Sequence, residues 1–392
     1  MTIKMKKRML NLLLNEFGAN TFSVCLMTAV KGFVHTNLHD GVSFHYVVPE
    51  NLCRKHLIKG SQGQPQFSTA AIMALFDEVS TYSCGMQDRK HRPGVSVHLE
   101  TEVVKNVYAG DEVAILTHTD KIGNTLAFST MEILDKDGAL VAKGKHIKFL
   151  PMGTHFSVIT HPLVLPWTLN FYEMLQKRKG APQGLADHFT GKKLPLPEGF
   201  PSIDGVGRVF DILGLQRLSA SEVLNIQPER SNSLTVCSNN GRIDPKSVQY
   251  FSMTVQQITM NRNGKMHGGA VGCAVEQACL LSRSANTNEH GNQNGTEGVY
   301  ALNCFVKSLD VRYIAAMNGD LIVTTADDVY APLLFADSAM NSPSAHWRAR
   351  SIGKVLNKAD GSICAEYVCH WEALMPQMQL HKSPYINLLP FC

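Results

Sequence analysis

The amino-acid sequence predicts an α+β protein made of two successive copies of one structural unit. In each half, apolar residues recur at helical spacing over one long run, Ser68–Tyr82 in the first half and Gly268–Leu281 in the second. Four strand-like runs follow each helical run, and an Asp-Gly turn, at 137–138 or 360–361, separates the last two. The shared order of elements indicates one unit duplicated in tandem.

Composition is that of an ordinary globular protein and excludes several functions. With 392 residues, of which 44% are hydrophobic and 18% charged, the chain can bury two or three cores of ordinary size. A net charge of +4 is too small to indicate a nucleic-acid partner, although it suits an anionic ligand. No apolar run approaches the ~20 residues of a membrane span, so no stable membrane insertion is expected. The ten cysteines show no zinc-type spacing, which predicts a reducing compartment without metal sites or disulfides.

The first unit begins with a strand predicted over Asp40–Glu50, which a polar loop at Lys59–Pro65 connects to the helix. The helix Ser68–Tyr82 has a buried apolar face and carries Asp77. A basic loop leads from it to the sheet. Four strands are predicted there, at Val95–Val104, Glu112–Thr119, Leu126–Leu134 and Ala139–Leu150.

The second unit repeats this order, with a strand at Ser247–Thr259, a polar loop and the helix from Gly268. Its four later strands are predicted at Val299–Tyr313, Asp320–Val329, His346–Leu356 and Ile363–Leu374. The unit is longer because of two polar insertions, Asn286–Gly298 and Pro332–Ala345. The first insertion is predicted to be a surface loop.

The boundaries that follow are 1–153 for the first domain, 154–206 for a partly helical linker, 207–376 for the second domain and 377–392 for a C-terminal tail. The first residues are basic, with Lys4, Lys6, Lys7 and Arg8 ahead of a leucine-rich run. They are interpreted as an amphipathic first helix of a cytoplasmic protein, with a mitochondrial presequence as the alternative.

Chemistry is concentrated in the stretch from Asn261 to Glu276, where a polar loop ends in His267-Gly268-Gly269 and a helix begins. The first N–H groups of a helix have no intrahelical partner, and glycine lets a ligand oxygen approach them closely. The positive end of the helix dipole favours negative charge on that oxygen. Glu276 lies about two turns further on the same helix, so an oxyanion site and a carboxylate share one element. A tight helix entry and a satisfied glutamate are the simpler interpretation of the same pattern.

The motif Asn-x-x-Gly-x-x-His-Gly-Gly, followed by an acid on the next helix, resembles that of the PaaI-like hotdog-fold acyl-CoA thioesterases. The first half resembles the same family at Ala74-Leu-Phe-Asp77, Pro93-Gly-Val-Ser96 and Lys143-Gly-Lys-His146. The resemblance implies two tandem hotdog domains, each a long helix wrapped by an antiparallel sheet. It also implies that the two domains pair as an intrachain pseudo-dimer.

The resemblance assigns roles that are divided between the halves. Asp77 stands where the family carries its base or nucleophile, and Ser96 where a hydroxyl orients the attacking water. The first half, however, has Ser68-Thr69-Ala70 in place of His-Gly-Gly, and Gln62 in place of the loop asparagine. The second half has the loop motif, but Val306 occupies the serine position.

Since sites of this family form across a dimer interface, the resemblance implies one complete composite site. Asp77 and Ser96 would face Asn261, His267 and Gly268, while the reciprocal site would be broken on both sides. Substrate contacts are expected from Gly264, Gly269, Glu276, Lys145 and Arg92.

In the implied reaction, Gly268 N–H, Asn261 and His267 polarise the thioester carbonyl, although His267 is alternatively a structural residue that holds the turn. Burial is expected to raise the pKa of Asp77. Arg89, Lys90, Arg92, Lys145 and Lys148 are available for the phosphates of CoA, which is the substrate's carrier and not a cofactor. The rival functions are a hotdog dehydratase or hydratase and a non-catalytic acyl-CoA-binding protein. The expected assembly is a dimer of tandem chains.

Overall fold

The computed structural model describes most of both halves and parts of the segment between them. The described residues are 22–27, 29–35, 41–54, 64–88, 90, 92, 94–151, 158, 161, 163–178, 213–219, 221–223, 237–238, 241–242, 248–261, 264–289, 304–333 and 345–375. Several sequence predictions lie outside these ranges: the N-terminal helix, Gln62, the start of the second unit at 207–212 and the tail 377–392.

The first half consists of a short helix, a long helix and the strands around them. Its elements up to the long helix are α1 (Phe22–Met27), β1 (Val30–His35), β2 (Val42–Val47), a 3-10 turn (Glu50–Leu52), β3 (Cys53–Arg54), β4 (Gln66–Phe67) and α2 (Thr69–Gln87). Four antiparallel strands follow, β5 (Val95–Val103), β6 (Glu112–Ile122), β7 (Leu126–Asp135) and β8 (Leu140–Phe149). Ser68 caps α2, because its hydroxyl accepts a hydrogen bond from the backbone N–H of Ala71.

The second half has the same order of elements. After helix α3 (Leu165–Arg178) come β9 (Gln216–Arg217), β10 (Cys237–Ser238), β11 (Gly241–Arg242), β12 (Gln249–Thr254), a 3-10 turn (Gln257–Thr259) and α4 (Gly268–Glu289). The four strands after α4 are β13 (Cys304–Tyr313), β14 (Asp320–Leu333), β15 (Ala345–Asn357) and β16 (Ile363–Met375).

Twelve of these strands form one antiparallel sheet in the order β1-β2-β6-β7-β8-β5-β13-β16-β15-β14-β12-β9. The two halves join where β5 pairs with β13, and the register runs from His98 opposite Arg312 to Glu102 opposite Ser308. This pairing is symmetric about Glu100 and Asp310. Outward from this junction, the first half runs β5, β8, β7, β6 and β2, and the second half runs β13, β16, β15, β14 and β12. The two halves therefore have the same strand order.

The two long helices lie on one face of this sheet and pack against each other and against its strands. Helix α2 is buried along nearly its whole length, because α4 covers one side of it and the sheet covers the other. Its apolar side chains and those of α4 belong to one continuous core that extends across both halves. Each helix start therefore lies close to the middle of the opposite helix.

The α+β class and the large antiparallel sheet are confirmed, and the predicted strands agree with the observed ones to within a few residues where both are described. Sequence patterns missed β1. They also ended the second helix too early, because α4 continues to Glu289, four residues into the predicted surface loop. The domain boundaries 1–153, 154–206, 207–376 and 377–392 stay predictions. None of the helices in the described ranges combines the length and apolar character needed to cross a bilayer.

Candidate active site

The loop before α4 is held by its own backbone, and this places the helix start. Asn261 closes the turn: its N–H donates to the carbonyl of Lys265 (2.7 Å), and its side-chain oxygen accepts from the N–H of Lys265 (3.3 Å). Gly264 has φ +68°, a left-handed conformation that glycine adopts without strain. The backbone N–H of His267 donates to Thr259 O (2.8 Å), so the chain enters α4 in a fixed direction.

Asp77 of α2 meets the start of α4. Its Oδ2 accepts a hydrogen bond from the Gly269 N–H (3.2 Å), and the side chain is 4% exposed. Its Oδ1 accepts from the hydroxyl of Ser96 on β5 (2.9 Å) and from Lys148 Nζ on β8 (3.4 Å). Three elements of the first half therefore converge on a helix start of the second half.

A chain of polar groups extends from Ser96 into the first half. His146 Nε2 lies 3.0 Å from Ser96 Oγ, and His146 Nδ1 lies 2.6 Å from Ser80 Oγ. Because the Ser96 hydroxyl donates to Asp77, its oxygen accepts from a proton on His146 Nε2. His146 is therefore the tautomer that fixes the direction of the Ser96 hydroxyl.

The charges around Asp77 reverse the expected direction of its pKa. Burial alone raises the pKa of this carboxyl, but Lys148, His267, His146 and the Ser96 hydrogen bond together hold it well below its usual range. The prediction of a raised pKa was wrong, because Lys148 is buried beside Asp77 rather than exposed at the site entrance. Burial and the same lysine lower the pKa of His146 to about 3, so its ring is neutral.

The two glycines at the start of α4 are required by close contacts. A Cβ at Gly268 would lie 2.7 Å from Asp77 Oδ2 and 3.4 Å from Ser96 Oγ, in the space between base and helix start. A Cβ at Gly269 would lie 2.4 Å from the Cα of Ala74, where the two helices cross. Tyr313 bounds the same space, because its hydroxyl donates to the Gly268 carbonyl (2.8 Å).

His267 bridges two carboxylates of α2. Its Nδ1 lies 3.4 Å from Asp77 Oδ2, and its Nε2 is in short contact with Glu78 Oε1. The Ser23 hydroxyl of α1 donates to the same Glu78 oxygen (2.5 Å), and the Phe22 ring lies 5.4 Å from the imidazole. His267 Nδ1 also accepts a hydrogen bond from the Gly269 N–H (3.0 Å), so the ring contacts both the side chains of α2 and the backbone at the start of α4. Its catalytic and structural roles both stay predictions.

The second carboxylate, Glu276 of α4, occupies the corresponding position at the start of α2. Its Oε2 accepts from the Ala70 N–H (3.1 Å) and from the Ser68 hydroxyl, and its Oε1 pairs with Arg54 Nε (3.1 Å). Glu276 is 1% exposed. The Thr69 hydroxyl donates to the carbonyl of Val306 (2.5 Å), so no glycine-lined space is present at this helix start.

The remaining predicted substrate contacts lie away from Asp77. Arg92 is buried: its Nε bonds Asp88 (2.9 Å), its Nη2 bonds the Gly123 carbonyl (3.1 Å), and its Nη1 bonds the Asn124 carbonyl. Lys145 is exposed on the face of β8 opposite to His146 and Lys148. The structure thus does not bring Arg92 or Lys145 together with Asp77, and their contact with CoA stays a prediction.

Sequence reasoning missed the contributions of His146, Lys148 and Glu78 to the site. Alternation along β8 could have found the first two, because it separates Lys143 and Lys145 on one face from His146 and Lys148 on the other. Nothing in the sequence distinguishes Glu78 from a solvent-exposed glutamate that follows Asp77.

Comparisons show that this chain is similar to thioesterases. Residues 68–142 match the model of the thioesterase superfamily. Over 77 residues the chain is 36% identical to acyl-coenzyme A thioesterase 13 of Mus musculus, an alignment that covers 19% of this chain and 54% of the relative. The chain thus spans about half the length of the relatives it matches.

Solved structures of thioesterases are also similar to this chain. One is an acyl-CoA thioesterase II, TesB2, from Mycobacterium marinum, at 9% identity and a TM-score of 0.47, covering 90% of this chain and 99% of that one. Another is thioesterase superfamily member 2 of zebra fish, at 28% identity and a TM-score of 0.24, covering 28% of this chain and 75% of that one. The predicted resemblance to hotdog-fold thioesterases is confirmed.

Proposed function

We propose that this protein hydrolyses an acyl-CoA thioester at a single composite site formed by Asp77 and Ser96 of the first half and the start of α4. The observation that carries the proposal is the contact of Asp77 with the Gly269 N–H (3.2 Å) and the Ser96 hydroxyl (2.9 Å). It unites a carboxylate, a hydroxyl and a glycine-lined helix start, which are the groups that ester-type hydrolysis needs.

In the proposed reaction the Gly268 N–H donates to the thioester oxygen, where the α4 dipole favours the developing negative charge. Asn261 and His267 position the same end of the substrate. Ser96 and Asp77 hold a water molecule, whose oxygen attacks the carbonyl carbon. The C–S bond breaks, and Asp77 passes the proton taken from water to the departing CoA thiolate, which leaves a free acid and CoA.

The lowered pKa of Asp77 has two consequences for this role. It keeps the carboxylate ionised throughout the neutral range, so Asp77 holds no proton when water binds, and it also makes the carboxylate a weaker base. Lys148 keeps Asp77 in this state, while the neutral His146 ring orients the hydroxyl of Ser96.

The two halves form a tandem hotdog pseudo-dimer in this proposal, with one working site per chain. The symmetric pairing of β5 with β13 and the packing of α2 on α4 support it. Gly264 and Gly269 shape the loop and the helix start, whereas Glu276 belongs to the reciprocal, closed site. A dimer of tandem chains remains the proposed assembly.

Free-thiol release from a panel of acyl-CoAs, by the wild type and by Asp77→Ala, tests the function. We expect release by the wild type and about 10³-fold less by the variant, while both still bind acyl-CoA. Acyl-CoA binding without release by the wild type would indicate a binding protein. Reversible hydration of an enoyl-CoA without thiol release would indicate the hydratase.

A further inference from the structure

We propose that Glu78 is a positioning residue that holds His267 as an imidazolium between two buried carboxylates, and so places a positive charge beside the thioester oxygen. The inference deepens the proposed function, because it concerns the same site. It rests on the cluster formed by Glu78, His267, Ser23 and Asp77, in which α1 and α2 of the first half meet the last loop residue before α4.

Glu78 is buried, and its charge needs a partner. Its side chain is 2% exposed, and within the described residues no donor contacts its Oε2. A buried carboxylate with one unsatisfied oxygen is strongly disfavoured unless a cation lies beside it. Asp77, the preceding residue, is also buried and accepts bonds at both oxygens. Two adjacent buried anions therefore need two cations.

The groups around His267 show which cations lie near the two carboxylates. The titratable or charged groups near His267 are Asp77 and Glu78 from α2 and His146 and Lys148 from β8, while Tyr313 from β13 lies beside Asp77. Among the side chains of α1 that the structure describes, the uncharged Phe22 and Ser23 contact this cluster. Burial raises the pKa of Tyr313 well above its usual value, and the His146 ring is neutral. Lys148 pairs with Asp77, so His267 is the cation left for Glu78.

In the charged form of His267, both ring nitrogens carry a proton. With Nε2–H donated to Glu78, a second proton on Nδ1 faces Asp77 Oδ2 across 3.4 Å. The Gly269 N–H lies 3.0 Å from His267 Nδ1 and 3.2 Å from Asp77 Oδ2, so it is shared by both acceptors when Nδ1 is bare and donates to Asp77 alone when Nδ1 carries a proton. Burial opposes charge on this ring, but Asp77 and Glu78 outweigh burial and raise the pKa of His267 above its ordinary value.

The consequence concerns the reaction. A cation fixed at the start of α4 strengthens the field that stabilises negative charge on the thioester oxygen. The Ser23 hydroxyl donates to the same Glu78 Oε1 that His267 contacts (2.5 Å), so two groups hold this oxygen in place. Glu78 touches neither substrate nor water in this arrangement and acts only through His267.

The test is Glu78→Gln, which keeps the shape of the side chain and removes its charge. Removing the anion lowers the pKa of His267, so the alkaline limb of the kcat–pH profile should move to lower pH. We expect kcat to fall about tenfold at pH 8 and to recover as the pH is lowered, with KM little changed. Glu372→Gln is the matched control, because Glu372 is a buried glutamate near Lys307 (4.0 Å), outside this cluster.

A second readout does not depend on activity. Labelled-histidine NMR, with His267→Gln to assign the signal, should show His267 titrating above the ordinary histidine range in the wild type. The titration should move downward in Glu78→Gln and stay raised in Ser23→Ala, which keeps the charge. A wild-type His267 that is neutral at pH 7, or one that titrates alike in Glu78→Gln, would overturn the inference. If the wild type releases no thiol, the proposed function fails while this titration still decides the role of Glu78.

Discussion

Asp77 and Glu276 occupy the same backbone position in the two halves, yet their surroundings differ in kind. Each lies eight residues beyond the first residue of its helix (77 − 69 and 276 − 268), and each accepts the N–H of the second residue of the opposite helix. The two N···O distances, 3.2 Å and 3.1 Å, are nearly equal. Backbone geometry alone therefore does not distinguish the two sites.

The difference lies in the strands beside each carboxylate. The β5–β8 pairing places Ser96 opposite Lys148 and Leu99 opposite His146. The corresponding β13–β16 pairing places Val306 opposite Trp371 and Leu309 opposite Cys369. A hydroxyl, an ammonium and an imidazole in the first half are thus replaced by apolar or weakly polar side chains. The fold places a carboxylate at each of two helix starts, and only the one at Asp77 has a hydroxyl, an ammonium and an imidazole beside it.

The counter-ions also separate the two carboxylates. Lys148 reaches Asp77 at 3.4 Å and leaves room for Ser96 and the space in front of Gly268. Arg54 lies 3.1 Å from Glu276, and both Ser68 and the Ala70 N–H bond to the same carboxylate. Glu276 is therefore fully engaged by protein groups and holds the halves together.

The largest effect should separate the carboxylates by activity. Asp77→Asn keeps the size of the side chain but removes the base, so kcat should fall about 10³-fold. Glu276→Gln should leave kcat within about threefold of the wild type. Steady-state thiol release with one acyl-CoA measures both. Equal losses in the two variants would mean that the reciprocal site also turns over.

Stability should separate them in the opposite sense. Arg54→Met leaves the buried Glu276 without its cation, and removal of one partner of a buried pair typically costs about 3 kcal/mol of unfolding free energy. Arg54 is partly exposed, with 23% of its side-chain surface accessible, which reduces this figure. Urea denaturation measures it, and Arg54→Met/Glu276→Met is the control that should recover most of the loss. If the single variant is as stable as the wild type, Glu276 does not depend on Arg54.

Substitutions at the first residues of the two long helices, Gly268 and Thr69, should give the next largest effect. Gly268→Ala places a methyl group 2.7 Å from Asp77 Oδ2, so kcat should fall about 10²-fold through displacement of base and substrate. Thr69→Gly, at the corresponding residue of α2, removes a side chain whose hydroxyl bonds the Val306 carbonyl away from Asp77, and should leave kcat unchanged. Full activity in Gly268→Ala would show that the space beside Asp77 is not where the thioester lies.

Much of the fold could be read from the sequence because it depends on local patterns. Helical spacing in Ser68–Tyr82 and the Asp-Gly turn at 137–138 each mark an element wherever they occur. The boundaries were less certain, since α4 extends to Glu289 through residues whose composition is that of a loop.

The candidate site was only partly predictable, and the pKa of Asp77 shows why. Sequence motifs identified Asp77 and Gly268, because hydrolysis at a helix start needs a carboxylate and a glycine. The direction of the pKa depends instead on Lys148, which is far along the chain and reaches Asp77 only after β8 pairs with β5. Partners that meet through tertiary pairing leave no local signal in the sequence.

The smallest expected effect compares His146, whose ring is neutral, with Cys369, which occupies the corresponding position in the second half. The pKa of His146 falls from an ordinary 6.5 to about 3 in the folded protein, whereas in the unfolded chain the imidazole takes up a proton below pH 6.5. Because the unfolded state binds more protons over this interval, the free energy of unfolding should fall as the pH falls, by about 1.4 kcal/mol per pH unit from this residue. Denaturation at pH 6.5, 5.5 and 4.5 should show that slope in the wild type and in Cys369→Ala, and a shallower one in His146→Gln. The same slope in all three would mean that His146 is already protonated in the folded protein. Its Nδ1–H would then donate to the Ser80 oxygen instead of accepting from it, while its Nε2–H would still donate to Ser96.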